Sequence, residues 1–254
     1  MKSRIIARLD IKNNTLIKGV HLEGLRVVGD PVEQALKYYL DGVDEILLVD
    51  AVASLYGRNQ LTKVVESICS KIFVPITVGG GIRSIDDATV LFQSGADKIA
   101  VNTAAHADPG LLKRLSSQFG AQSIVLSVQA KRESQQSQNW FAMMDNGREQ
   151  SGLTVDQWIA IAHDLGIGEI LLTSIDKDGT YSGYDLELLT RVRQFTQAPL
   201  LISGGFRDPV DALNAFRSGA QGAVIASTLH YHKLTVQDIK SSPALQEIEL
   251  RHGN

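Results

Sequence analysis

The chain has 254 residues, is 44% hydrophobic and carries a formal charge of −3, which suits one or two globular domains with a sizeable core. No apolar run reaches the ~18 residues of a membrane span, the acidic turn at Asp10 comes too early for a secretory leader, and the slight acidity gives no case for nucleic acid. Cys69 is the only cysteine, so an intramolecular disulfide is impossible and a reducing cytoplasm is the expected compartment.

Short apolar runs alternate along the chain with longer amphipathic ones. Strands are predicted over 4–10, 45–50, 74–79, 98–102, 122–129, 169–174, 199–203 and 222–226. Helices are predicted over about 30–42, 60–71, 84–94, 108–118, 154–165, 185–196, 208–218 and 234–241. Asp30-Pro31, Asp108-Pro109 and Asp208-Pro209 each set a capping acid before a proline at the first helical position. Strands apolar throughout are buried on both faces, which implies a parallel sheet wrapped by helices. Eight β-then-α units in about 250 residues is the arithmetic of a (β/α)₈ barrel, here a single domain over 1–254. An open doubly wound sheet usually needs fewer strands. The polar stretch 133–150 resists assignment.

An internal repeat sharpens the fold. "PITVGGGIRSIDDATVLFQSGADKIAVNT" lines up with "PLLISGGFRDPVDALNAFRSGAQGAVIAST". Pro75 matches Pro199, Gly80 matches Gly204, Gly95-Ala96 matches Gly219-Ala220, and Thr103 matches Ser227, always 124 residues on. Two tandem half-barrels produce this pattern. The same symmetry pairs the strand ending at Asp10 with the strand ending at Gln129.

In such barrels the active site lies at the carboxyl ends of the strands. Found there are Asp10, Asp50, Gly79–Gly81, Asn102-Thr103, Thr173 with Asp176 and Asp178 beyond it, Ser203–Gly205 and Ser227. Glycine-rich turns let backbone N–H groups approach an anion, and the helix amino termini that follow favour negative charge. Two copies in register point to a ligand with a phosphate at each end; the alternative is a pair of tight βα turns. Asp10 closes an apolar strand and is the first candidate for acid–base work, with capping of loop amides as the alternative. Asp50 and Asp178 are secondary candidates. Lys18, in a loop "LIKGV", can close on a phosphate as a point charge or remain solvated. Six scattered histidines show no metal-ligand spacing. At the opposite end, Arg4, Glu45, Lys98 and Glu169 stand at strand starts. They form either a stabilising salt-bridge plug or a gate for a small polar molecule on the barrel axis.

The motifs "RIIARLDIKN", "VDEILLVD", "VPITVGGGI", "GADKIAVNTAA" and "GEILLTSIDKDGTYSGYD", through "IASTLH", resemble the cyclase subunits of imidazole glycerol phosphate synthase over nearly the whole length. The resemblance implies a histidine-biosynthesis enzyme with no cofactor and no metal. It takes ammonia from a separate glutaminase subunit at the amino-terminal face and passes it up the barrel. It then cleaves and cyclises a bisphosphorylated aminoimidazole carboxamide ribulosyl nucleotide. It implies phosphate sites at Gly81, Asn102 and Thr103 and at Gly204, Gly205 and Ser227; Lys18, Asp50 and Thr173, placed at the mouth by the strand ends, are expected to be further substrate contacts. It turns the Arg4, Glu45, Lys98 and Glu169 ring from plug to gate, and puts a hairpin-like insertion, a possible lid, at 133–150.

The sequence departs from that family at the position of its second catalytic aspartate, which is Gln129. Arg8 stands where the family commonly has cysteine, and "DAVAS" replaces "DITAS". An amide cannot transfer a proton as a tuned carboxylate can. Two hypotheses follow. Either a cyclase keeps Asp10 as its acid–base while Asp178, Asp50 or water covers the missing role, or the chain is a paralogue feeding ammonia to amidino modification of a surface-polysaccharide amino sugar. A third reading is a non-catalytic partner-binding scaffold.

Overall fold

The computed structural model describes residues 2–53 and 61–251. Twelve strands occur among them: β1 Arg4–Lys12, β2 Thr15–Val20, β3 Glu23–Gly29, β4 Glu45–Asp50, β5 Ile76–Gly79, β6 Lys98–Val101, β7 Ile124–Arg132, β8 Trp140–Met144, β9 Glu149–Thr154, β10 Glu169–Ser174, β11 Leu200–Ser203 and β12 Gly222–Ile225. Eight of them, β1, β4, β5, β6, β7, β10, β11 and β12, pair in parallel, and β7 with β10 closes the ring. Helices separate successive barrel strands, so the fold is a (β/α)₈ barrel.

The period-2 alternation sorts each strand between two cores. Ile5, Ala7, Leu9 and Ile11 pack outward against the helices, with Ile46, Leu48, Ile99 and Ile170. Ile6, Leu47, Ala100, Val125, Leu171, Leu201 and Val224 form a separate apolar layer inside the lumen. On β1 this turns Arg4, Ile6, Arg8 and Asp10 inward, stacked from the bottom of the barrel to its mouth.

Three expectations need correction. The "LIKGV" segment is not a loop but β2, which pairs antiparallel with the extended end of β1. The strand predicted to end at Gln129 continues to Arg132 and pairs with β8, so Gln129 lies within it. Residues 140–144 and 149–154 form a hairpin there, as the resemblance implied. The helix after Asp108-Pro109 begins at Gly110 rather than at the proline, and the Asp108 carboxylate, which faces the Gly110 and Leu111 amides, also bonds Arg114 at 2.6 Å. Asp30 and Asp208 do cap, accepting from Val32 and Glu33 and from Val210, all at 2.9 Å. The predicted helix start at 60 and His252 lie outside the described residues.

Behind β1, His230 is 5% exposed and its Nδ1 lies 2.6 Å from the Tyr38 hydroxyl. Burial lowers its pKa to about 4. The folded chain therefore declines a proton that the unfolded chain accepts near pH 6.5. Stability from this group is full above about pH 6.5 and is lost as pH falls toward 4. Urea midpoints measured at pH 7 and 4.5 should differ less in His230→Phe than in the wild type. Equal pH slopes would remove the assignment.

Candidate active site

Residues 124 apart share backbone geometry. Gly80 and Gly204 both have φ of 97°, and a Cβ on either would come within 2.5 Å of a carbonyl oxygen, of Asp50 and Ser174 respectively. Only glycine fits such a left-handed, close approach. Asn102 and Ala226 both have φ of −128°, with ψ of −91° and −80°, and lead into the short helices Thr103–Ala107 and Ser227–His230. The predicted two-fold is thus present at the mouth, turn for turn.

Between these turns the mouth is divided. A cavity of ≈ 400 Å³ opens over the first half, lined by Gly81, Asn102, Thr103, Asp50, Gln129 and Arg8. A separate recess of ≈ 20 Å³ lies in the second half among Gly204, Gly205, Ser227, Tyr181 and Asp178. In the larger cavity the buried Asn102 Oδ1 and Gln129 Oε1 have no hydrogen-bond partner. Buried polar atoms are rarely left so. Thr103 Oγ1 accepts from the Asp145 amide at 3.0 Å.

Asp10 is buried and faces the lumen, but lines neither recess directly. Its Oδ1 accepts from Arg8 Nε at 2.9 Å and lies 2.8 Å from Arg8 Nη2. Arg8 Nη1 reaches across to Thr173 Oγ1 at 3.4 Å. Burial opposes the Arg8 charge, but Asp10 and then Asp178 outweigh it and hold its pKa above the usual arginine value. Arg8 was noticed in the sequence as a departure, not as the partner of Asp10. The signal was there in the alternation, which sets residues 8 and 10 on one face.

Lys18, carried by β2, is buried and pairs with Asp178 Oδ2 at 2.8 Å. It is a fixed cation at the mouth rather than a solvated loop lysine. The same carboxylate also accepts from the Leu22 amide at 3.4 Å. Asp176 accepts from the Arg132 amide at 2.8 Å and so anchors the loop after β10 to β7. Asp50 accepts from the Val52 amide at 3.0 Å; burial raises its pKa and the backbone N–H groups only partly offset this.

At the barrel bottom four charges close a ring. Arg4 bonds Glu45 at 2.9 Å and Glu169 at 2.6 Å, Lys98 lies 3.0 Å from Glu45 and 2.7 Å from Glu169, and Thr77 donates to Glu45 at 2.7 Å. The two positive and two negative charges balance, and the apolar layer sits directly above. Among the described residues no cluster of three or more His, Cys, Asp or Glu is placed to hold a metal, and no helix is long and apolar enough to cross a membrane.

The model of the histidine biosynthesis protein family matches residues 4–235. An imidazole glycerol phosphate synthase subunit HisF from Legionella pneumophila is 54% identical over 202 residues, 80% of this chain and 94% of that protein. The subunit of the same name from Mycobacteroides abscessus is 42% identical over 253 residues, 98% of each chain. That from Prochlorococcus marinus is 42% identical over 252 residues, covering 99% of this chain and 98% of its own.

Proposed function

This chain belongs to the histidine biosynthesis protein family, among the cyclase (HisF) subunits of imidazole glycerol phosphate synthase, and on that premise we propose how its residues serve the reaction. The enzyme is a lyase of the glutamine-amidotransferase-coupled type. It uses ammonia to cleave and cyclise a bisphosphorylated aminoimidazole carboxamide ribulosyl nucleotide. The relatives do not favour the amino-sugar paralogue or the non-catalytic scaffold.

One phosphate of the nucleotide sits on the turn of Gly81, Asn102 and Thr103, the other on that of Gly204, Gly205 and Ser227. The observation that carries this reading is the matched pair of left-handed turns, each leading toward a strand end that opens into a helix. Asp10 is the acid–base at the middle of the span. Gln129, on the cavity wall, donates or accepts hydrogen bonds but moves no proton. Asp178 and Lys18 form the opposing pair near the second phosphate, Asp50 flanks the first, and Thr173 aligns Arg8 beneath the ligand.

The partner is a glutaminase subunit, seated on the amino-terminal face in a heterodimer. Support comes from Leu40 and Phe73, which are 75% and 82% exposed on the end of the barrel that carries the charged ring. Ammonia enters between Arg4, Glu45, Lys98 and Glu169 and rises through the lumen. The whole chain acts as one barrel domain in the cytoplasm, with the hairpin of β8 and β9 beside the mouth.

Purified chain with the nucleotide and excess ammonium salt should consume the nucleotide, and a glutaminase partner with glutamine should replace the salt. Lys98→Ala is expected to alter glutamine-dependent turnover several-fold more than ammonium-dependent turnover. Equal effects would leave the ring a structural plug; no turnover from either source would refute the reading.

A further inference from the structure

We propose that Arg8 is the positioning residue of Asp10, converting the mouth from a two-carboxylate site into one carboxylate steered by one guanidinium. The inference rests on the reading of Asp10 as the acid–base.

Three observations carry it. First, the hold is one-sided. Nε and Nη2 of Arg8 both approach Asp10 Oδ1, at 2.9 and 2.8 Å, while Oδ2 receives no donor among the described residues. One oxygen is fixed and the other stays open to a ligand. Second, Arg8 is itself fixed. It is 3% exposed, and Nη1 reaches Thr173 on β10, three strands away around the barrel. The side chain therefore crosses the lumen as a chord, and its planar fork sets the carboxylate's rotation as an ammonium could not. Third, Thr173 is the direct register partner of Gln129. The far end of the chord thus lies beside the position that lacks its carboxylate. A second acid there would meet the Arg8 guanidinium near Thr173 and compete with Asp10 for it. With an amide at 129, Arg8 has a single acidic partner on the lumen wall at that level.

The ionisable groups around Asp10 are Arg8 on its own strand, Lys18 on β2, Asp178 in the loop after β10, and His230 behind β1. Lys18 is committed to Asp178, and burial holds His230 neutral at pH 7. Arg8 is then the cation that bonds Asp10.

The test is kinetic, with ammonium salt as nitrogen source so that the lumen and the partner are not involved. Arg8→Ala should lower kcat about 10- to 100-fold while leaving KM for the nucleotide within about 3-fold, because the carboxylate stays in place but loses the two-donor hold that orients it. Arg8→Lys keeps charge but not the two-point hold. It should fall between wild type and Arg8→Ala in kcat, with KM again within about 3-fold of the wild type. Gln129→Asp combined with Arg8→Ala should depart from the product of the single effects by at least about 3-fold. If Arg8→Ala does not fold, the Arg8→Lys kcat decides alone: a loss supports the proposal and wild-type turnover overturns it. A folded Arg8→Ala with wild-type kcat, or with its loss confined to KM, also overturns it. An Asp10→Asn variant with unchanged turnover would instead refute the acid–base reading on which the proposal stands.

Discussion

Asp10→Asn is expected to lower kcat by ~10²–10⁴-fold with KM for the nucleotide little changed. The range is that for loss of a general acid–base, and its upper part is favoured because Gln129 cannot take over proton transfer. The change is nearly isosteric, so the phosphate turns should still hold the ligand. Stability will fall too, since the buried Arg8 guanidinium loses its carboxylate. The kinetic claim is therefore read from folded protein, checked by circular dichroism at the assay temperature. Gln129→Asp is the complementary change. It returns a titratable group to the cavity wall, but one that competes with Asp10 for Arg8, so relative to its parent it should raise turnover more in the Arg8→Ala background than in the wild type. A fully active Asp10→Asn enzyme would move catalysis to Asp178 or Asp50.

Glu45→Ala is expected to be among the most destabilising single substitutions in the barrel. Glu45 is 1% exposed and accepts from Arg4, Lys98 and Thr77. Its removal leaves the buried Arg4 and the half-buried Lys98 sharing Glu169 alone. Breaking one side of a buried ion pair costs about 3–5 kcal/mol, which in a chain of this size lowers Tm by roughly 10 °C. Thermal melts at low and high salt should give similar losses, because buried charges are screened little. A loss below about 1 kcal/mol would mean that the ring exchanges readily with water, and that its closed form adds little to the fold.

The barrel was legible because its signal is simple. Strands buried on both faces read as apolar runs, and β4 and β10 begin and end where the pattern put them, at 45–50 and 169–174. The repeat made the paired turns legible as well, since a left-handed backbone pressed against a carbonyl leaves glycine as its trace at Gly80 and Gly204. The hairpins were not legible. Every residue of β3 is at least partly exposed, so it lacks the alternation that marks a strand, and its partner "TLIKGV" reads equally well as a loop. Asp108 differs from Asp30 and Asp208 in that Arg114, six residues on, binds one of its carboxylate oxygens, a partner that the Asp-Pro signal does not show. Lys18 was visible as a cation but not as a buried one, because its partner Asp178 lies 160 residues away. Arg8 had the clearest unread signal. Its place two residues before Asp10 on an alternating strand put the two on one face, and only the reach to Thr173 depended on closure of the barrel.

In a crystal structure of the chain with the bisphosphorylated nucleotide, one phosphate should lie on the amides around Gly81 and Thr103, the other on those around Gly205 and Ser227, and the linking chain over Asp10 Oδ2. A nucleotide anchored at a single turn, or crossing the mouth with Asp10 out of reach of every ligand atom, would contradict that placement.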